Sequence, residues 1–229
     1  MNAKDYRKAL GFTNKGLFQK YLGAKDIVEP NWSVIEKKNA RLVEMFTNIN
    51  QMLCVAQDLD IGEIVDDTTR TIRDNNILPR LNNHGRAVEN VYYSWLQGYL
   101  AELVFTPLIK QSLMLKEVER NGGDDLSDIE TFKRTGDADL IAPKDRVLID
   151  VQAGFTGGTF DIKKHKVMHA MANEEYDSYV FFADLMNGTY ANIQLKPLVN
   201  EEFVPNPQWE GQLCYTVDPE IFQTFVKNG

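Results

Sequence analysis

Three polar side chains within fourteen residues carry most of the chemistry that the chain offers. Asp139 and Asp150 flank the turn Lys144-Asp145, and Gln152 follows Asp150 by two positions. Beyond the turn, Val147, Ile149 and Val151 alternate with Leu148, Asp150 and Gln152, which predicts a strand with Asp150 and Gln152 on one face. A hairpin symmetric about Lys144-Asp145 sets Asp139 directly opposite Asp150, where Cβ atoms lie about 4.5–5.5 Å apart. Two carboxylates about 4 Å apart at an effective dielectric of about 20 repel by about 4 kcal/mol, a large fraction of a domain's stability. Solvation at an exposed hairpin, a proton shared by the pair, or a divalent cation would each relieve that repulsion. Oxygens from two carboxylates suit Mg²⁺, which keeps several waters and takes further contacts from a phosphate. Such an ion polarises a phosphoryl group and lowers the pKa of a bound water, the chemistry of metal-assisted phosphodiester hydrolysis.

A second feature follows closely. Lys163, Lys164, His165 and Lys166 form the densest basic cluster in the chain. With Asp161 as N-cap of a helix running to about Asn173, this cluster occupies the first turn, where free backbone N–H groups also face a phosphate; the other reading is a solvated helix end. His165 and His169 share a face at i, i+4, but no third ligand or HExxH pattern accompanies them, so surface or core histidines are the simpler reading. There is no GxSxG elbow and no Walker loop, because the glycines at 122–123 and 157–158 lack a following Lys-Ser or Lys-Thr; they read as turns.

The elements that must position these groups begin upstream. Apolar spacing and the preceding Pro30 predict a helix over Asn31 to Asn50, and the first eighty residues read as helical. Thr13 to Ile27 has Leu17, Phe18, Tyr21 and Leu22 on one side with Lys15, Lys20 and Lys25 around them, either an ordinary amphipathic helix or a small lysine-presenting helix-turn-helix. A polar stretch from Asp74 to Gly85 divides a helical region, residues 1–84, from a second part, residues 85–229. There, Arg86 to Ile109 predicts a long helix ending near Pro107 or shortly after it, carrying Glu89 and Glu102 about 140° apart around its axis. Strands Asp137 to Pro143 and Arg146 to Gly154 follow, then the helix after Asp161. Strands Ser178 to Leu185 and Tyr190 to Leu198 flank Asn187-Gly188, a loop carries three prolines, and a strand near Leu213 to Val217 leads to a closing helix capped by Asp218 with Pro219 first. Helix, hairpin, helix, hairpin, helix is a mixed α/β layer order.

Composition sets the outer limits. A chain of 229 residues, 43% hydrophobic and 25% charged, suits one domain or two small ones. No apolar run approaches the roughly 18–20 residues of a bilayer span, and the start MNAKDYRKALGF lacks the apolar core of a signal peptide, so a cytoplasmic, membrane-free protein is expected. Cys54 and Cys214 are too few for a disulfide framework or a four-cysteine zinc site. The net charge of -8 argues against a polyanionic partner, yet residues 1–50 hold nine basic against five acidic side chains, and residues 173–229 hold two against nine. A fold that turned the last quarter away would leave a basic groove available.

The segment GDADLIAPKDRVLIDVQAG resembles the PD-(D/E)xK nuclease superfamily, in which an acid near one hairpin strand precedes an acid-x-lysine triplet on the next. Asp139 matches the first acid, Asp150 the second, and Gln152 stands where lysine is usual. YLAEL around Glu102 is similar to the family helix that contributes a further acid. The resemblance spans roughly residues 86–198. It implies an α+β fold with a restriction-endonuclease-like mixed sheet flanked by helices, and a Mg²⁺-dependent type II endonuclease acting on double-stranded DNA without an organic cofactor. Asp139 and Asp150 would ligate the metal, Gln152 would orient water, and Glu102 would be an outer-shell or second-metal acid. Lys133, Arg134 and the 163–166 cluster would contact DNA. Glutamine also occupies the lysine position in some restriction endonucleases of the superfamily, but its amide brings no charge, and Lys163 or Lys164 is the nearest candidate to compensate. Cutting two strands at one site favours a homodimer, with the N-terminal helices as dimer or DNA contacts. The same fold stripped of catalysis, as a DNA-binding or assembly protein, and a nuclease of RNA or branched DNA are the alternatives.

Overall fold

The computed structural model describes residues 3–12, 29–78, 86–121, 138–155, 160–209 and 211–226. The expected turn at Gly157-Gly158 and the Thr13 to Ile27 segment lie outside them. The architecture is α+β, a mixed six-stranded sheet with helices and a helical N-terminal region. Among the described residues no helix is long and apolar enough to cross a membrane. The chain divides into two compact units, residues 1–45 with 60–97, and residues 46–59 with 98–229.

The first unit contains α1 (Ala3–Ala9), most of α2 (Trp32–Met52), α3 (Ile61–Asp74) and the start of α4 (Val88–Ser112). The chain turns into α2 at Asn31, whose side chain accepts from the Val34 N–H at 3.3 Å. Asp60 caps α3 by accepting from the Glu63 N–H at 2.9 Å. Both helices bury a stripe at helical spacing, Ile35 and Leu42 on one and Ile61, Val65 and Ile72 on the other. Their register is set by polar groups. Asn39 Nδ2 donates to Thr69 Oγ1 at 2.8 Å, Thr69 donates to the Val65 carbonyl at 2.6 Å, and the Tyr92 hydroxyl lies 2.9 Å from Thr69 Oγ1. Burial pushes the Tyr92 phenol pKa up, against the hydrogen bonds that lower it.

In the second unit the sheet order is β1 (Glu119–Arg120), β2 (Leu140–Ala142), β3 (Val147–Gly154), β5 (Asp177–Asp184), β6 (Thr189–Gln194), β9 (Gln223–Thr224). Only β3 and β5 run parallel, joined through α5 (Lys164–Ala172); the other neighbours are antiparallel. A smaller sheet pairs β4 (Asp161–Lys163), β8 (Gln212–Thr216) and β7 (Val204–Asn206) in that order. The β5–β6 hairpin closes as expected at Gly188, whose φ of +67° and a Val226 methyl 3.1 Å from where a Cβ would stand both favour glycine.

The two sheet faces carry different helices. Val180 and Phe182 pack with Val167 and Ala170 of α5. Phe181, on the opposite face, meets Phe105 of α4 at 5.4 Å, and Phe105 in turn meets Phe225 at 5.2 Å. Pro107 sits inside α4, which runs on to Ser112, three residues past the expected end at Ile109. Proline has no N–H for the Leu103 carbonyl, and Gln57 Nε2 donates to that oxygen at 2.7 Å.

Two expectations need correction. Asp161 does not cap a helix: residues 161–163 form β4, and the helix starts at Lys164 behind Lys163, with no side-chain cap. The Asp161 carboxylate accepts from Thr216 Oγ1 at 2.9 Å and Asn206 Nδ2 at 2.6 Å, tying β4 into the small sheet. The closing helix is a single 3-10 turn, Pro219–Ile221, capped by Asp218 as expected and followed by strand β9. The proline loop likewise contains two 3-10 turns and β7.

Candidate functional site

The hairpin register is Leu140 with Ile149, Ile141 with Leu148 and Ala142 with Val147, which continues to Asp139 opposite Asp150. Val147, Ile149 and Val151 are buried, while Leu148, Asp150 and Gln152 are half-buried on the other face. In the parallel pairing Asp150 lies beside Val180 and Gln152 beside Phe182, so both acid and amide are on the α5 face of the sheet. Asp139 stands one residue before β2 begins. Its Oδ2 accepts from the Val151 N–H at 2.7 Å, extending the ladder with a side chain where β2 itself has ended.

Asp150 is ion-paired through Oδ2 with the Lys166 ammonium, in the first turn of α5. The two side chains are 21% and 31% exposed, so water screens this pair less than a surface one. Of the basic cluster, then, the lysine facing the acids is Lys166, whereas Lys163 and Lys164 face elsewhere. Lys163 Nζ lies 4.0 Å from the centre of the Trp209 ring, and Lys164 Nζ lies 5.6 Å from that of Phe203. Val167 and Ala170 anchor α5 in the core, and Lys166 stands one residue before Val167 and one turn before Ala170, on the flank that meets the sheet. That apolar spacing was the available signal for Lys166, once the helix start is known.

His165 is exposed, and its pKa is held below the ordinary histidine range by what burial it has, then by the charges of Lys163, Lys166 and His169; Asp150 acts in the opposite direction. Gln152 makes no side-chain hydrogen bond among the described residues, which leaves its amide open to water or substrate.

Glu102 is placed elsewhere. Its Oε2 accepts from Arg120 Nη2 at 3.0 Å, and the guanidinium also covers the Tyr99 ring at 4.6 Å. Arg120 is paired with Leu140, whose partner Ile149 faces away from Asp150, so Arg120 and Glu102 belong to the α4 face. The structure therefore brings Asp139, Asp150, Gln152 and Lys166 together and sets Glu102 apart from them. Lys133 and Arg134 lie outside the described residues.

Among the described residues no group of three or more His, Cys, Asp or Glu side chains is gathered to hold a metal ion. Two carboxylates, one within β3 and one just before β2, still fit Mg²⁺, which needs one or two such ligands and completes its shell with water and phosphate. Lys166 engages Asp150 Oδ2, and the Val151 N–H engages Asp139 Oδ2.

No family model, curated protein or solved structure matches this chain. The site's own geometry is what a functional reading rests on.

Proposed function

We propose that the protein is a Mg²⁺-dependent endonuclease that cuts double-stranded DNA at a defined sequence, a type II restriction enzyme of the PD-(D/E)xK kind that its hairpin resembles. The observation that supports this most is the β2–β3 register, which carries Asp139 and Asp150 to one rung with Gln152 next along the same face. Asp139 and Asp150 would hold the ion, which when bound supplies Lewis acidity toward a phosphoryl oxygen and lowers the pKa of the attacking water. Gln152 orients that water through its amide. Attack forms one P–O bond as the bond to the leaving sugar oxygen breaks; the water's proton passes to solvent and the leaving oxygen takes one up. Glu102, tied to Arg120, fastens β1 to α4 and takes no part in this ligand set.

The first turn of α5, with Lys163, Lys164 and uncapped N–H groups, favours phosphate. In this reading two copies on a two-fold axis cut the two strands, in the cytoplasm and without an organic cofactor. Incubation of the purified protein with Mg²⁺ and unmethylated DNA of diverse sequence should give discrete fragments. Uncut DNA, or an Asp150→Ala variant that cuts as well as wild type, refutes the proposal.

A second reading keeps DNA binding and drops the chemistry. It is favoured by Lys166 and the Val151 N–H, which engage the two carboxylates within the chain itself. Calorimetry with Ca²⁺ and DNA separates the two: binding abolished by Asp139→Asn supports the enzyme, and no metal affinity supports the binding protein. If duplex DNA stays intact while Ca²⁺ binds, RNA and branched junctions are the substrates to try.

A further inference from the structure

We propose that Lys166 supplies the positive charge that glutamine at position 152 lacks, and that Asp150 holds it in reserve, because the ammonium and a divalent cation compete for the same carboxylate. The inference rests on the nuclease reading above and adds to it a residue with two opposed effects.

Asp150 cannot easily yield its position. It lies within the eight-residue strand β3, paired with β5 throughout. Lys166 can, since its ammonium ends a four-carbon chain while its backbone is fixed by the buried Val167 and Ala170. A cation arriving at Asp150 therefore displaces the lysine side chain and leaves the strand in place. The pair is half-buried, so the exchange has a cost: the ion must replace an attraction that solvent screens only in part. A displaced ammonium then has anionic substrate as its next partner, at the amino end of α5 where the uncapped N–H groups already favour phosphate. Gln152 is two residues along the same strand face, about 6.6 Å away, so the charge from α5 and the amide from β3 are available at neighbouring positions. Lys163 and Lys164, over the Trp209 and Phe203 rings, are not in this position.

Removing Lys166 should accordingly push metal affinity and catalysis in opposite directions, which a merely structural role would not do. Mn²⁺ binding to the DNA-free protein is measured by calorimetry, and cleavage by single-turnover kinetics at saturating Mg²⁺. Lys166→Met, which keeps the length and volume of the side chain, should bind Mn²⁺ about tenfold more tightly, equivalent to about 1.4 kcal/mol. It should also cleave at least about a hundredfold more slowly, the loss typical of one stabilising group in a transition state. Lys166→Arg, with the charge retained, should bind Mn²⁺ like wild type. Unchanged or weaker Mn²⁺ binding by Lys166→Met, with binding still dependent on Asp139 and Asp150, overturns the competition alone, and undiminished cleavage overturns the catalytic half. Absence of Mn²⁺ binding in DNA-free wild type overturns this inference; absence of Ca²⁺ binding with DNA present as well, or binding that Asp139→Asn and Asp150→Asn leave intact, removes the nuclease reading too.

Discussion

Asp139 has two separable duties, and substituting it in two ways should pull them apart. Its carboxylate accepts the Val151 N–H at 2.7 Å, and Val151 is only 9% exposed, so the amide has little access to water once its partner is gone. A hydrogen bond to a charged acceptor contributes about 1.5–3 kcal/mol, and an N–H stranded in a buried strand costs toward the upper end. Asp139→Ala should therefore destabilise the protein by about 2–3 kcal/mol, a fall in Tm of roughly 4–12 °C for a chain of this size. Asp139→Asn keeps an oxygen to accept the bond and loses only the charge, so its cost should stay near 1 kcal/mol or about 2–4 °C. Both variants should be equally inactive, because neither offers a carboxylate to the ion. Urea denaturation gives the two stabilities, and digestion of susceptible DNA gives the activity. Equal destabilisation by Asn and Ala would refute the role of the carboxylate in the ladder, and cleavage by Asp139→Asn at the wild-type rate would refute its role at the ion.

Three further outcomes follow from the geometry. Gln57→Ala should cost about 1–2 kcal/mol in the wild type and clearly less in a Pro107→Ala background, where a restored backbone N–H serves the Leu103 carbonyl; a double-mutant cycle showing no coupling contradicts the arrangement. His165 should titrate below the ordinary histidine value of about 6.5, so that its contribution to stability is complete above that pH and is lost as pH falls from it toward the folded pKa. NMR titration of the ring proton should show that Lys166→Met raises this pKa and Asp150→Asn lowers it; shifts of the opposite sign contradict the charge arrangement. Lys163→Ala and Lys164→Ala should each reduce the salt dependence of DNA binding by about one ion and weaken binding to all sequences alike, whereas a change in sequence preference would place these lysines on bases.

The β2–β3 hairpin was legible because its information is local. Alternation over Val147 to Gln152 sets the faces, and a turn at Lys144-Asp145 sets the register, so the opposition of Asp139 and Asp150 needs no distant partner. The β5–β6 hairpin around Gly188 is legible for the same reason. What escaped the sequence depends on contacts far along the chain. Asp161 has the chemistry of an N-cap, but Thr216 and Asn206, 55 and 45 residues downstream, draw it into a strand and delay the helix to Lys164. That two-residue shift, from Asp161 to Lys163 at the cap position, rotates the basic cluster and decides which lysine meets Asp150. Asp218 and Pro219 start a helical turn as their types dictate, yet Phe225 is buried against Phe105 and β9 pairs with β6, which ends the helix after one turn. The YLAEL similarity likewise says nothing of Arg120, whose place opposite Leu140 assigns Glu102 to the α4 face.

The most direct test is anomalous diffraction from a crystal of the protein soaked in Mn²⁺. A peak bridging the Asp139 and Asp150 carboxylates, with the Lys166 ammonium withdrawn from Asp150, is the result predicted. A Lys166–Asp150 pair left intact, with no anomalous density between the two aspartates at saturating Mn²⁺, would contradict it.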